Sequence, residues 1–139
     1  MNSAPGSAPR IAVDLVLLSR AEELLRPDRR PVLARMLLPE ETDACTRGGV
    51  LDASAVAGVL AVKEAVFKLF HVRDRPLPWL SIQVAGGAGT WPVVHLNGAA
   101  AQLAEAARLK SGISVSLAHD GAYAVAVAAA VHTTEGTPS

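Results

Sequence analysis

Apolar and polar positions alternate with two different periods along this chain, and the switches between them lay out its elements. Ile11, Val13 and Leu15 alternate with Ala12 and Asp14, the period of a strand with one face on a core. Asp14 then points away from the larger apolar side chains. Ser19 followed by Glu22 predicts a capping box that opens a helix, Pro27 stops it, and Pro31 and Pro39 begin two further short helical pieces. Asp52 or Ser54 caps the longest helix, which runs through Leu60, Lys63 and Glu64 to about Phe70, before a loop containing Pro76 and Pro78. Leu80, Ile82 and Val84 alternate next. Gly86, Gly87 and Gly89 turn the chain, and Val93, His95 and Asn97 belong to a second alternating run, so this stretch predicts a hairpin. An alanine-rich helix spans about Ala99 to Leu109, ended by Gly112. Ile113, Val115 and Leu117 then alternate up to His119-Asp120-Gly121. Tyr123 to Val131 is apolar on both faces, as suits a central strand pairing back on its predecessor. Clustered hairpins with one long helix point to an α+β layer architecture, not a parallel doubly wound sheet.

Length and composition narrow this picture. A chain of 139 residues has room for one domain, expected over residues 10–131. Residues 1–9 and 132–139 are rich in Ser, Pro, Gly and Thr and are expected to be flexible tails. Thirteen basic residues balance thirteen acidic ones, so overall charge gives no reason to expect nucleic acid as a partner, and any charged partner must be read by a local patch. No apolar run is long enough to span a bilayer, so no membrane association is expected and the location expected is cytoplasmic. Cys45 is the only cysteine, which excludes an internal disulfide and a cysteine-based zinc site. Nothing near it in sequence resembles an activating base, so it is expected to be inert packing.

Placed at about 100° per residue, the long helix carries Val56, Val59, Leu60, Val62, Val66, Phe67, Leu69 and Phe70 on one broad apolar arc. A second arc holds only Ala57, Gly58, Ala61 and Ala65, where another backbone can approach closely. The helix should therefore be covered on two sides. Glu64 and Lys68, four apart, lie at the border of these arcs, and Lys63 falls within the apolar one. By spacing alone, Glu64 and Lys68 read as a surface ion pair of about 0.3–0.5 kcal/mol, with Lys63 snorkelling.

Three blocks change that reading: Val-Asp-Leu-Val at 13–16, Gly-x-x-Ala-x-Lys-Glu-Ala-x-x-Lys from Gly58 to Lys68, and Ser-Leu-Ala-His-Asp from Ser116 to Asp120. In that order they resemble the holo-(acyl-carrier-protein) synthase type of 4'-phosphopantetheinyl transferase, over about Ile11 to Val131. The resemblance implies that family's fold, an antiparallel sheet packed around a long central helix. It implies transfer of 4'-phosphopantetheine from coenzyme A to a serine of an apo acyl or polyketide carrier protein, with release of 3',5'-ADP. It also implies magnesium held by Asp14 and Glu64, a catalytic set of Asp14, Glu64 and Lys68, and coenzyme A contacts from Lys63, Lys68 and His119. Arg20, Arg26, Arg29 and Arg30 would dock the acidic carrier, with Arg35 in the same basic segment, and the protein would be a homotrimer with coenzyme A between subunits. His71, His95 and His132 match nothing in the family and are expected to be structural or on the surface.

The chain also departs from the family pattern. Val59 stands where members commonly carry an arginine, Ala118 replaces a Ser or Thr, and His71 to Trp79 replaces a glycine-rich loop. Those changes leave room for an alternative, a catalytically inactive relative that binds carrier protein or coenzyme A without transfer.

Overall fold

The computed structural model describes residues 7–86 and 90–133, so of the turn glycines Gly87 and Gly89 lie outside the described residues. A three-stranded antiparallel sheet forms from β1 (Ser7–Leu17), β6 (Ser114–Asp120) and β7 (Tyr123–Thr133), in the order β1-β7-β6. The strand that is apolar on both faces is the central one, as expected. It pairs back on β6 across Gly121 and Ala122, with Asp120 opposite Tyr123. β1 pairs with β7 from Ser7↔Thr133 to Leu17↔Tyr123. Residues 7–9 and 132–133 are therefore strand, not tail, because the ladder gives their backbone groups partners; Pro9, which has no N–H to donate, is accommodated on an edge strand. The remainder of the expected tails, residues 1–6 and 134–139, lies outside the described residues.

The long helix α4 (Ala53–Leu69) crosses this sheet. Its Ala57, Ala61 and Ala65 are buried, as are Ala124, Ala126 and Ala128 of β7. Small residues on both partners let the helix and sheet backbones come close. Its opposite side is covered by α1 (Leu18–Leu24), whose Ala21 and Leu24 are buried, and by the hairpin of β4 (Ile82–Ala85) and β5 (Val93–Leu96). Both coverings of the helix were expected from its two arcs. The short α2 (Arg30–Leu33) and α3 (Pro39–Ala44) and the later α5 (Gly98–Ala106) complete the helices, and the proline-broken segment is as expected.

Three local details differ from expectation. The Ser19 and Glu22 capping box does not form: α1 begins at Leu18, flush with the end of β1, and its first N–H is satisfied by Ala122 O at 2.9 Å. The alanine-rich helix stops at Ala106, and Arg108 takes the left-handed conformation (φ 60°) that ends it. A small hairpin of β2 (Thr46–Arg47) and β3 (Val50–Leu51) precedes α4, its turn made by Gly48 and Gly49 at φ 58° and 81°. The Gly-Gly pair was its signal in the sequence. Asp52, which follows it directly, caps α4 by accepting from Ser54 N at 3.2 Å, as expected.

The alternation of β1 has the expected period, but the face on the core is the one carrying Ala12, Asp14 and Val16. Ile11, Val13, Leu15 and Leu17 face outward and remain between 48 % and 68 % exposed. The close approach of α4 explains this. A helix seated on alanines leaves space for small side chains beneath it and none for a row of Ile, Val and Leu. Val127 and Val131 of β7 are exposed as well, so the outer surface of the sheet is an apolar patch. Among the described residues no helix is long and apolar enough to cross a membrane.

Candidate active site

Turning Asp14 inward brings it against α4, where Glu64 and Lys68 sit one helical turn apart. The two helix residues do not pair with each other. Lys68 Nζ donates to Asp14 Oδ1 at 2.9 Å and to Val13 O at 3.0 Å. Glu64 Oε1 instead accepts from Arg20 Nη1 of α1 at 2.8 Å. The expected surface pair is thus replaced by two bridges that link three elements, with both carboxylates largely shielded while Lys68 and Arg20 reach solvent. Arg20, expected on the docking surface, belongs to this group.

The electrostatics of the pair of acids are unusual. Burial pushes the Glu64 carboxyl up to about 7, helped by its hydrogen bond with Asp14 and opposed by Arg20. Burial also raises Asp14, but hydrogen bonds from Glu64 and Lys68 and the Lys68 charge outweigh it and hold Asp14 below the ordinary aspartate value. Two acids placed together cannot both ionise freely, so one keeps a proton near neutral pH. Asp14 Oδ2 is buried and has no hydrogen-bond partner among the described residues; a protonated Glu64 beside it can serve it. A buried carboxylate oxygen without a partner beside a second, easily deprotonated carboxyl is a donor set that fits a hard divalent cation, which would take the place of the shared proton.

Lys63 is elsewhere. Its side chain is fully buried, and Nζ donates to Glu41 Oε1 (2.6 Å), Met36 O (2.7 Å) and Trp79 O (2.8 Å). All three ammonium hydrogens are used, so Lys63 neither snorkels nor reaches a ligand, and the expected coenzyme A contact is corrected to a structural one. Burial pulls its pKa below the ordinary lysine value against the upward pull of Glu41. Glu41 is itself buried and accepts from Leu38 N at 2.8 Å and Val84 N at 2.7 Å. The pair pins α3 and β4 to α4. Lys63→Met leaves the Glu41 charge buried and unpaired, a change that typically costs about 3–5 kcal/mol. Urea unfolding should show that loss, and a change below about 1 kcal/mol would assign the pair no structural role.

His119 lies at the other end of α4. Its Nε2 is 3.1 Å from Ser54 O, a carbonyl that can only accept, so Nε2 carries the hydrogen. A Cβ on Gly58 would stand 2.9 Å from Leu117 Cδ2 and 3.0 Å from His119 Nε2, so the glycine of the long motif is what allows β6 this close. Gly58 and Glu64 are six residues apart, about 9 Å along the axis. Within the single chain, therefore, His119 and the Asp14, Glu64 and Lys68 group form two separate clusters along one helix. Beside His119 is a cleft of about 240 Å³, lined among others by Arg47, Ser54, Val59 and Thr90. Arg47 was not singled out in the sequence, because nothing local marks it; only the fold places it here.

The remaining candidates behave simply. Arg26, Arg29 and Arg30 are exposed after α1, with Arg26 paired to Asp28 (3.4 Å) and Arg30 Nε donating to Leu25 O (2.9 Å). Cys45 is buried, and burial pushes its thiol up to about 11, as suits inert packing. His71 and His95 are exposed and His132 lies in β7.

The 4'-phosphopantetheinyl transferase superfamily model matches residues 10–128. The holo-[acyl-carrier-protein] synthase of Desulforudis audaxviator is 37 % identical over 125 residues, covering 90 % of this chain and 94 % of the relative. That of Moorella thermoacetica is 35 % identical over 116 residues, covering 84 % and 88 %. Among solved structures, Helicobacter pylori holo-[acyl-carrier-protein] synthase in complex with coenzyme A superimposes with a TM-score of 0.72 at 26 % identity, over 87 % of this chain and 99 % of that one. The coenzyme A complex from Chronobacterium ammoniagenes gives 0.73 at 25 % identity, over 92 % and 99 %.

Proposed function

Because the chain belongs to the 4'-phosphopantetheinyl transferase superfamily, we propose that it transfers 4'-phosphopantetheine from coenzyme A to a serine of an apo acyl carrier protein, with Asp14 and Glu64 holding magnesium. The observation that supports the reading most is the Asp14 and Glu64 pair beside the Lys68 ammonium. In the reaction the serine oxygen forms a bond to the phosphorus that bears pantetheine, the pyrophosphate P–O bond breaks, and 3',5'-ADP leaves. Magnesium, when bound, neutralises charge on the pyrophosphate oxygens. Glu64, beside the place where the pyrophosphate would be held, is suited to accept the serine proton directly or through one water. Lys68, half in solvent, can place its ammonium on the departing phosphate. Exposed Arg26, Arg29 and Arg30 present positive charge to an acidic carrier.

Intact mass spectrometry of apo carrier proteins from fatty-acid and polyketide synthesis tests this directly. One carrier should gain a single phosphopantetheine with coenzyme A and magnesium, and none in chelator. Arg26→Glu with Arg30→Glu should raise the carrier KM and leave that of coenzyme A unchanged. Full transfer in chelator removes the metal role; carrier binding without any mass gain identifies an inactive relative.

The apolar outer sheet supports a second part of the reading, a homotrimer. Ile11, Val13, Leu15 and Val127 are exposed in a single chain, and a homo-oligomer would bury them. The separation of His119 from Glu64 along α4 suits a site that neighbouring subunits complete together. Val13→Asp should convert the trimer to monomers in light scattering and abolish transfer with it. A fully active monomer would sink this part.

A further inference from the structure

Under the function proposed above, Glu64 has two claims on it, the metal and Arg20, and they compete for the same carboxylate. We propose that Arg20 is a latch on Glu64 that an acidic carrier protein opens, so that carrier docking and metal binding strengthen each other; this rests on the transferase reading given above.

The two ion pairs of the site are built differently, and the difference carries the inference. Arg20 Nη1 donates to Glu64 Oε1 at 2.8 Å, so an oxygen that Glu64 could offer a metal is already held by a cation. Lys68 occupies Asp14 Oδ1, but Asp14 Oδ2 is left without a partner among the described residues. Asp14 therefore has an oxygen to give as it stands, whereas Glu64 must first be released. Lys68 is also anchored to Val13 O at 3.0 Å, while Arg20 has no partner but Glu64 among the described residues. The Arg20 side chain is 45 % exposed, and its remaining donors are left for a second carboxylate, which a guanidinium takes in bidentate fashion. Ion pairs this open to solvent are weak, so a carboxylate brought in by a docked partner can displace Glu64. A side-chain rotation is enough for the exchange. Ala21 and Leu24 are buried beneath α1, and Leu18 N is tied to Ala122 O, so the helix itself stays in place. The partner chemistry that fits is an acidic surface, because exposed Arg26, Arg29 and Arg30 continue the positive charge of Arg20 along the same segment.

By linkage, whatever draws Arg20 away from Glu64 tightens the metal, and the metal in turn tightens that partner. Manganese(II), which carboxylate sites accept in place of magnesium, reads this by electron paramagnetic resonance without coenzyme A, so no transfer intervenes. Expected is a manganese Kd about fivefold tighter in Arg20→Ala than in the natural protein, the low end of the usual coupling between sites. Arg20→Lys, which keeps a cation, should stay near the natural value, and Arg26→Ala, which lacks the Glu64 contact, should not move it. A saturating apo acyl carrier protein should tighten the natural protein's manganese Kd by a similar factor and leave that of Arg20→Ala unchanged. An unchanged or weaker manganese Kd in Arg20→Ala overturns the proposal, and so does a carrier panel that leaves the natural protein's Kd where it was. The mass assay separates the two readings. If no carrier gains phosphopantetheine but both manganese shifts appear, the transferase reading fails and the latch stands. If transfer occurs and the shifts are absent, the latch fails alone.

Discussion

Glu64→Gln should reduce transfer by about 100-fold or more, the scale of a lost acid–base group, without unfolding the protein. The substitution imitates the protonated carboxyl. Its amide oxygen can still accept from Arg20, and its NH2 can donate to the buried Asp14 Oδ2 that otherwise lacks a partner. The side chain is thereby held permanently in the hydrogen-bonded state that a metal must displace. A pH signature separates this from a general loss of activity. Glu64 is raised to about 7 by burial and by Asp14, so below that pH it keeps its proton and opposes the metal, and above it the pair is available. Apparent magnesium affinity of the natural enzyme should therefore strengthen as pH rises through about 7, and that of Glu64→Gln should stay weak and flat. The expectation is wrong if the variant retains transfer within about tenfold of normal or shows the same pH dependence.

Lys68→Met is expected to lower kcat about 100-fold while the magnesium requirement persists. The methionine keeps an apolar stem of similar length, and Lys68 is more than half exposed, so folding should be spared. What disappears is, among the described residues, the one ammonium within hydrogen-bond reach of Asp14. Turnover near normal would mean that Lys68 serves only to tie α4 to β1. The leaving group would then have to be met by Arg20, since Lys63 is buried among three acceptors and has no hydrogen to offer.

The comparison of Lys63 and Lys68 shows how far the sequence reached. Both fall in one motif five residues apart, and the motif marked both for the site. Lys68 stands at the border of the helix arcs, where solvent and Asp14 meet it. Lys63 stands within the apolar arc, and that placement alone already pointed inward. Missing from the local reading was Glu41, twenty-two residues away, whose carboxylate makes a buried ammonium tolerable. Arg20 was similar: the family resemblance implied a docking charge, and only the crossing of α1 over α4 showed Glu64 as its partner.

By itself the sequence determined the order and type of the main elements, the start of α4 at a cap of Asp52 or Ser54, the proline breaks, the two-sided burial of α4 and the family, because periodicity, caps and motifs are written in neighbouring residues. The tertiary structure alone decided which face of β1 is buried, which partner each charged side chain takes, and where Arg47 points. A strand's period is identical for its two faces. The choice between them is made by the alanine stripe of a helix some fifty residues away, which admits Ala12 and Asp14 and excludes Ile11, Val13 and Leu15.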